Sequence, residues 1–153
     1  MGSSIAEEGT LNVSTTRPRA QATDTEPQFG MWRSEEGVAA HRRAVETDVA
    51  TIARTLRDVL GAKLTNYGAG LKDPKAIDRY IGGAQTPRVE TEQRLRSLFQ
   101  VTALLLADDS PAVARAWMIG ANPQLNDEAP IEMMHLGRVG PTLRAAESFA
   151  LDG

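Results

Sequence analysis

The sequence predicts an all-α protein, and two observations carry this prediction. Apolar residues recur at steps of three and four through several stretches, which is the spacing that places them on one face of a helix. Proline, glycine and capping residues separate these stretches, whereas the alternation of apolar and polar residues typical of strands is almost absent. A chain of 153 residues is long enough for one domain or for two small ones.

Residues 1–35 are predicted to form a disordered N-terminal arm. They are rich in Ser, Thr, Gln, Glu, Gly and Pro, and no helical or alternating pattern lasts more than a few residues. Phe29, Met31 and Trp32 form a small apolar cluster near the end of this stretch. We expect this cluster to pin the arm to the rest of the chain or to a partner.

A long helix is predicted over residues 36–60, and Gly61 is expected to end it. Its charged residues fall off the apolar face. That face is formed by Val45, Val49, Ile52, Leu56, Val59 and Leu60.

Two short helices joined by a turn are predicted between residues 61 and 83. Gly70 supplies the turn, Asp73 is a suitable N-cap, and Pro74 suits the first position of the second helix. Two short helices around a tight turn form the helix-turn-helix pattern, in which the second helix enters the major groove of DNA. A helical hairpin that only packs against the rest of the protein is the alternative.

The segment that contains this helix pair carries a net positive charge. Residues 61–96 hold seven basic and four acidic groups, whereas residues 97–153 hold three basic and seven acidic groups. This division indicates two surfaces for two partners, unless the charges are simply scattered over a solvated surface. The candidate DNA-binding residues are Lys72, Lys75, Arg79 and Arg88.

The most continuous apolar stretch predicts a central helix over about residues 87–107. Arg94 and Arg96 lie near its start, where we expect them to be exposed and able to reach backbone phosphates. Ser110 or Asp109 and Pro111 then begin another helix.

A helix, a rigid polar loop and a second helix are predicted within residues 112–132. Gly120 is expected to close the first helix in the left-handed conformation. Pro123 prevents the helix from continuing, and Pro130 suits the first turn of the next one. A last helix is predicted to start at Gly140–Pro141, with Leu143, Ala146, Phe149 and Ala150 on one face.

Composition argues against several classes of function. The chain has no cysteine and only two histidines, so neither thiol chemistry nor a metal site is expected. The glycine-containing stretch at residues 61–70 matches no nucleotide-binding fingerprint, and no Gly-x-Ser-x-Gly motif is present. We therefore predict neither an enzyme nor a bound cofactor. The start lacks the pattern of a secretory signal and no apolar run is long enough for a bilayer, so a cytoplasmic protein without membrane contact is expected.

Two motifs, in this order, resemble the Xre/MbcA/ParS antitoxin family. The first resembles its DNA-binding half and lies in the helix pair at Leu60, Gly61, Leu64, Thr65, Tyr67, Ala69, Gly70, Lys72, Asp73, Tyr80 and Gly82. The second resembles its toxin-binding half and comprises Trp117, Asn122, Pro123, Leu125, Pro130 and Glu132. Gly70 lies one position further from the second helix than in general phage-repressor spacing, so a longer turn is expected.

The resemblance implies a bacterial type II antitoxin that binds a RES-domain toxin, an enzyme that destroys NAD, and that represses its own operon. It implies a helical DNA-binding-like domain at residues 36–108 and a small helical toxin-binding domain at residues 109–153. The implied partners are the cognate toxin and operator DNA, in a homodimer or a toxin–antitoxin hetero-oligomer. The implied toxin-binding residues are Trp117, Asn122, Pro123, Leu125, Phe149 and Leu151.

Two other functions fit the same residues. One is a stand-alone helix-turn-helix transcriptional regulator whose C-terminal half mediates dimerisation. The other is a scaffold with a degenerate helix-turn-helix and no role on DNA. An indole serves equally in a core or at an interface, and for Trp117 we favour the core.

Overall fold

The computed structural model describes residues 34–152, which contain eight α-helices and no strand. The all-α prediction is confirmed. Residues 1–33 of the predicted arm lie outside the described residues, whereas Ser34 and Glu35 cap and begin the first helix. The helices are α1 (Glu35–Glu46), α2 (Val49–Leu60), α3 (Ala62–Gly68), α4 (Ala76–Ile81), α5 (Val89–Leu105), α6 (Pro111–Ile119), α7 (Pro130–His135) and α8 (Val139–Asp152).

The fold is built around α5, as its apolar content predicts. Five helices, α1, α2, α3, α6 and α8, pack against it. From Leu98 to Leu105 every residue of α5 is buried, so the second half of this helix has no solvent-facing side. A helix that is buried all round needs partners on every side. The surrounding helices supply them, with fully buried side chains that include Ile52, Leu56, Met118 and Leu143.

The single long helix predicted over residues 36–60 is wrong, because the chain breaks between α1 and α2. Asp48 starts the new helix: its carboxylate accepts hydrogen bonds from Thr51 N at 3.1 Å and from Thr51 Oγ1 at 2.7 Å. These bonds hold the pKa of Asp48 below its ordinary value, the Thr51 hydroxyl being the larger cause. The break leaves Val45 exposed, although its spacing places it on the predicted apolar face.

One hydrophobic core runs through the segments predicted as separate domains. Its buried members extend from Ala40 in α1 to Ala146 in α8. Polar contacts cross the same division. Ser34 donates hydrogen bonds from N and Oγ to Glu147 Oε2 at 3.0 and 2.8 Å, and Arg115 Nη1 donates to the Val59 carbonyl at 2.8 Å. The segments predicted as separate domains therefore hold each other in place.

The predicted turn after α3 is present, and it is built on glycines. Gly70 adopts a φ of +73°, which residues with side chains rarely adopt, and α4 begins at Ala76, two residues later than predicted. Gly68 serves packing instead. A Cβ atom at this position would lie 2.7 Å from Ile131 Cδ1 and 3.2 Å from Leu98 Cδ2. Its missing side chain is what lets α3 approach α7 and α5.

None of the helices within residues 34–152 is both long enough and apolar enough to cross a membrane.

Gly68→Leu should destabilise the protein by about 1–3 kcal/mol, because the added side chain has no space between α3, α5 and α7. Lys63→Leu is the matched control, since Lys63 lies on the exposed side of the same helix. Urea unfolding followed by circular dichroism measures both. Equal stability of the two variants would show that the close approach at Gly68 is not required.

Candidate functional site: an apolar groove and a basic helical corner

The loop between α6 and α7 is tied together through Asn122. The Asn122 side chain accepts a hydrogen bond from Gln124 N at 2.9 Å, and its carbonyl accepts from Leu125 N and Asp127 N, both at 2.9 Å. Its own N–H donates to the Glu128 carbonyl at 3.2 Å. A short 3₁₀ turn at Pro123–Leu125 follows directly. The Asn-Pro pair therefore closes a rigid loop, because each polar group of the asparagine backbone has a partner inside it.

The left-handed residues of this loop differ from the prediction. Gly120 is not left-handed: it is extended, with φ −84° and ψ 153°. Asn126 and Asp127 take positive φ instead, at 56° and 66°. Asparagine and aspartate tolerate this conformation better than other residues with side chains. The left-handed residues therefore stand at the end of the loop, shortly before α7, and not at the end of α6.

An open apolar groove lies between this loop and α8. Its volume is about 360 Å³, and its lining includes Trp117, Asn122, Pro123 and Phe149. The rings of Trp117 and Phe149 meet at a centroid distance of 6.0 Å and an angle of 47°. Such tilted aromatic pairs are favourable and leave ring faces available to a third group. Four residues predicted to bind a partner thus line one surface depression.

The two remaining predicted partner-binding residues are placed differently. Leu125 is only 3% exposed and packs with Met133, Ala145 and the inner side of Trp117. It supports the loop from beneath. Leu151 is 56% exposed near the end of α8 and does not line the groove. Trp117 is half-buried, so its ring contributes both to this small cluster and to the groove wall.

Of the four predicted DNA-binding residues, Lys72, Lys75 and Arg79 lie in the helical corner formed by α3, the turn and α4, whereas Arg88 precedes the first residue of α5. Lys72, Lys75 and Arg88 are exposed, and none of them takes part in an ion pair within residues 34–152. The corner itself is rigid, because Asn66 Nδ2 donates to the Pro74 carbonyl at 3.0 Å across the turn.

Arg79, the fourth of these residues, already has partners on the protein surface. Its guanidinium contacts Asp73 Oδ2 at 2.5 Å and Gln85 Oε1 at 2.8 Å. The backbone N–H of Lys75 and the Arg79 side chain together hold the pKa of Asp73 below its ordinary value. Surface ion pairs of this kind contribute little to stability, so Arg79 can exchange its partner for a phosphate at small cost.

Arg94 and Arg96, which were predicted to be exposed and to contact phosphates, are only partly exposed, and their guanidinium groups bond within the protein. Arg94 Nη2 donates to the Met134 and His135 carbonyls, at 2.9 and 2.5 Å. Arg96 Nη1 donates to the Ala44 and Thr47 carbonyls, at 2.8 and 2.6 Å. Each arginine thereby caps the C-terminal end of another helix, which otherwise has unsatisfied carbonyl groups. Their role is internal.

A polar cluster that periodicity did not predict joins the corner to α7. The Tyr67 hydroxyl donates a hydrogen bond to Glu132, and the Tyr67 and His135 rings stack at 4.1 Å and 9°. His135 Nδ1 lies 2.9 Å from the Tyr67 carbonyl oxygen. Because these residues lie far apart in the sequence, no local spacing relates them. The only sequence signal is that Tyr67 and Glu132 each belong to one of the two quoted motifs.

No protein-family model, curated protein or solved structure matches this chain. The functional argument therefore rests on its own residues. Within residues 34–152 no three histidine, aspartate or glutamate side chains lie close enough together to hold a metal ion.

The Tyr67–Glu132 bond should be visible in a tyrosine titration. The Glu132 carboxylate raises the pKa of Tyr67, chiefly by accepting a hydrogen bond from the tyrosine hydroxyl; partial desolvation and the negative charge of Glu132 raise it further. The bond thus adds stability below the ordinary pKa of tyrosine, about 10, and loses it as the pH rises through the raised value. Glu132→Gln should lower the pKa of Tyr67 when tyrosinate absorbance is followed. Tyr67→Phe is the control that assigns the signal, and an unchanged pKa in Glu132→Gln would contradict the contact.

Proposed function

We propose that this chain is the antitoxin of a bacterial type II toxin–antitoxin system. It neutralises a RES-domain toxin that degrades NAD by binding it directly, and it regulates its own operon by binding DNA. The groove formed by Trp117, Asn122, Pro123 and Phe149 is the toxin-binding surface in this proposal. The corner that carries Lys72, Lys75 and Arg79, together with Arg88 at the start of α5, is the DNA-binding surface in this proposal.

The observation that carries the proposal is the convergence of the second motif and α8 on one groove. Trp117, Asn122 and Pro123 come from α6 and the loop, and Phe149 comes from a different helix, yet all four line the same depression. The internal bonds of Asn122 hold the loop in one shape before any partner arrives. A surface that is already ordered loses little conformational entropy on binding, which favours affinity.

Charge supports the division into two surfaces. The exposed lysines of the corner suit a phosphate backbone, whose neutralisation supplies most of the affinity for nucleic acid. The C-terminal segment carries an excess of acidic groups, which speeds encounter with a basic cleft. The six residues of α4 can present fewer than two helical turns to a groove of DNA, so base contacts come from its first residues.

A stand-alone regulator that dimerises through its C-terminal half is the second candidate. The exposed side chains of Val113 and Ile119 on α6, at 37% and 58%, favour it, because dimerisation would cover them. The two candidates differ in what a neighbouring RES-domain protein does. A RES-domain protein forms a stable complex with its antitoxin but does not bind a stand-alone regulator.

Co-expression with a RES-domain protein encoded by the neighbouring gene tests toxin neutralisation. The full chain should restore growth and protect cellular NAD. Ala121→Trp should abolish rescue, because Ala121 is exposed and lines the groove, which the indole would fill. Ala112→Trp, on an exposed part of α6 outside the groove lining, should rescue like the unchanged chain. Full rescue by Ala121→Trp would place the neutralising surface elsewhere.

Fluorescence anisotropy with a fragment of the chain's own promoter tests DNA binding. Replacing both Lys72 and Lys75 by Ala should weaken binding and reduce the salt dependence by about two phosphate contacts. Replacing both Arg42 and Arg43 by Ala removes the same number of positive charges from exposed residues of α1 and should have little effect. Equal losses in the two proteins would mean that net charge, and not the corner, determines binding.

A further inference from the structure

The groove lined by Trp117 and Phe149 carries negative charge in its lining and in the adjoining loop, and this charge limits what the groove can bind. Asp152, at the end of α8, lines it directly. Asp127 and Glu128 are exposed in the loop that contains Asn122, and backbone hydrogen bonds join both to that residue. Within residues 34–152, none of these three carboxylates is in an ion pair with a lysine or arginine.

The position of Asp152 strengthens the negative potential there. The last turn of a helix carries a partial negative charge from carbonyl groups without intrahelical partners. A carboxylate at this end is therefore unfavourable for the helix, and α8 has no basic residue in its last turn to offset it. Helix end and side chain together favour a cation from outside the protein.

The groove has an apolar part beside its polar residues. Two aromatic rings and the small residues Ala121 and Ala145 belong to the lining of this depression, whose volume is about 360 Å³. A depression lined by aromatic and small apolar groups suits one bulky apolar side chain, the kind of anchor that dominates protein interfaces. Because Asp152 lines the groove and the adjoining loop carries Asp127 and Glu128, an apolar anchor flanked by acidic residues would be repelled.

The geometry points to a peptide segment of the protein partner that inserts one bulky apolar side chain into the groove beside Trp117 and Phe149 and places a neighbouring lysine or arginine against Asp152. This inference rests on the proposed function in assigning that segment to the toxin. The recognition chemistry itself follows from the groove and the carboxylates that line or adjoin it.

Nuclear magnetic resonance titration of the full chain with short peptides tests this chemistry without any toxin. Acetyl-Arg-Leu-Arg-amide should shift the indole resonance of Trp117 and the ring resonances of Phe149. Acetyl-Glu-Leu-Glu-amide should bind about fivefold or more weakly, since it loses surface ion pairs and adds repulsion. Acetyl-Arg-Ala-Arg-amide should also bind weakly because it lacks the anchor. Equal affinity of all three peptides, or shifts confined to other surfaces, would overturn the inference.

Asp152→Asn should remove most of the preference for the cationic peptide over the acidic one. Asp108→Asn is the matched control, because Asp108 is an exposed carboxylate in the turn after α5. A preference that survives in Asp152→Asn would exclude Asp152 as the cation's partner. Because these titrations contain no toxin, their failure and a failed growth rescue are separate results.

Two other occupants of the groove would also overturn the inference. Residues Phe29 to Arg33 combine apolar side chains with a cation, so this chain's own N-terminal segment fits the same description. Groove resonances that change in the full-length Trp32→Ala variant would identify that segment as the occupant. Resonances that change with protein concentration would identify a second copy. Neither change is expected.

Discussion

The arrangement of the groove and of the helical corner depends on the contacts that the Arg94 guanidinium makes. This guanidinium extends from α5, the central helix, and donates to the last carbonyls of α7. It also lies against Gly70, where a Cβ atom would be 3.0 Å from Arg94 Cζ. One charged group therefore fixes the turn of the helical corner and the end of α7 relative to the core. Since α7 follows directly from the loop that borders the groove, the position of the loop depends on the same contact.

The sequence was sufficient to predict elements where local chemistry decides the structure. Apolar spacing predicted α5 at the centre, and Ser110 with Pro111 predicted the start of α6. The sequence was a poorer guide where a residue distant in the chain determines the local structure. The break before Asp48 has a local signal in the Asp-x-x-Thr spacing, but α1 ends where it does because Arg96 from α5 binds its last carbonyls. No local pattern shows which arginine will reach inward.

In the candidate sites, too, the sequence predicted what depends on neighbouring residues and missed what depends on distant ones. The Asn-Pro pair predicted a rigid loop, since an asparagine side chain that bonds two residues ahead depends only on neighbours. Exposure could not be predicted so well. Leu125 and Pro123 lie in the same short turn, yet one is buried and the other exposed, because α7 and α8 close over only one side of the loop. The pairing of Tyr67 with Glu132 required the folded structure.

The shared core has a consequence for how this protein is dissected. If the chain were cut after residue 108, α5 would keep its packing against α1, α2 and α3 but lose the cover that α6 and α8 give it. The side of Leu98–Leu105 that those two helices cover would face water, and the fragment would be expected to aggregate instead of reporting on the proposed DNA binding alone. The two surfaces belong to one cooperative unit, so each is best separated from the other by single substitutions at exposed positions. The grafting of either surface onto an unrelated scaffold would have to bring the central helix with it.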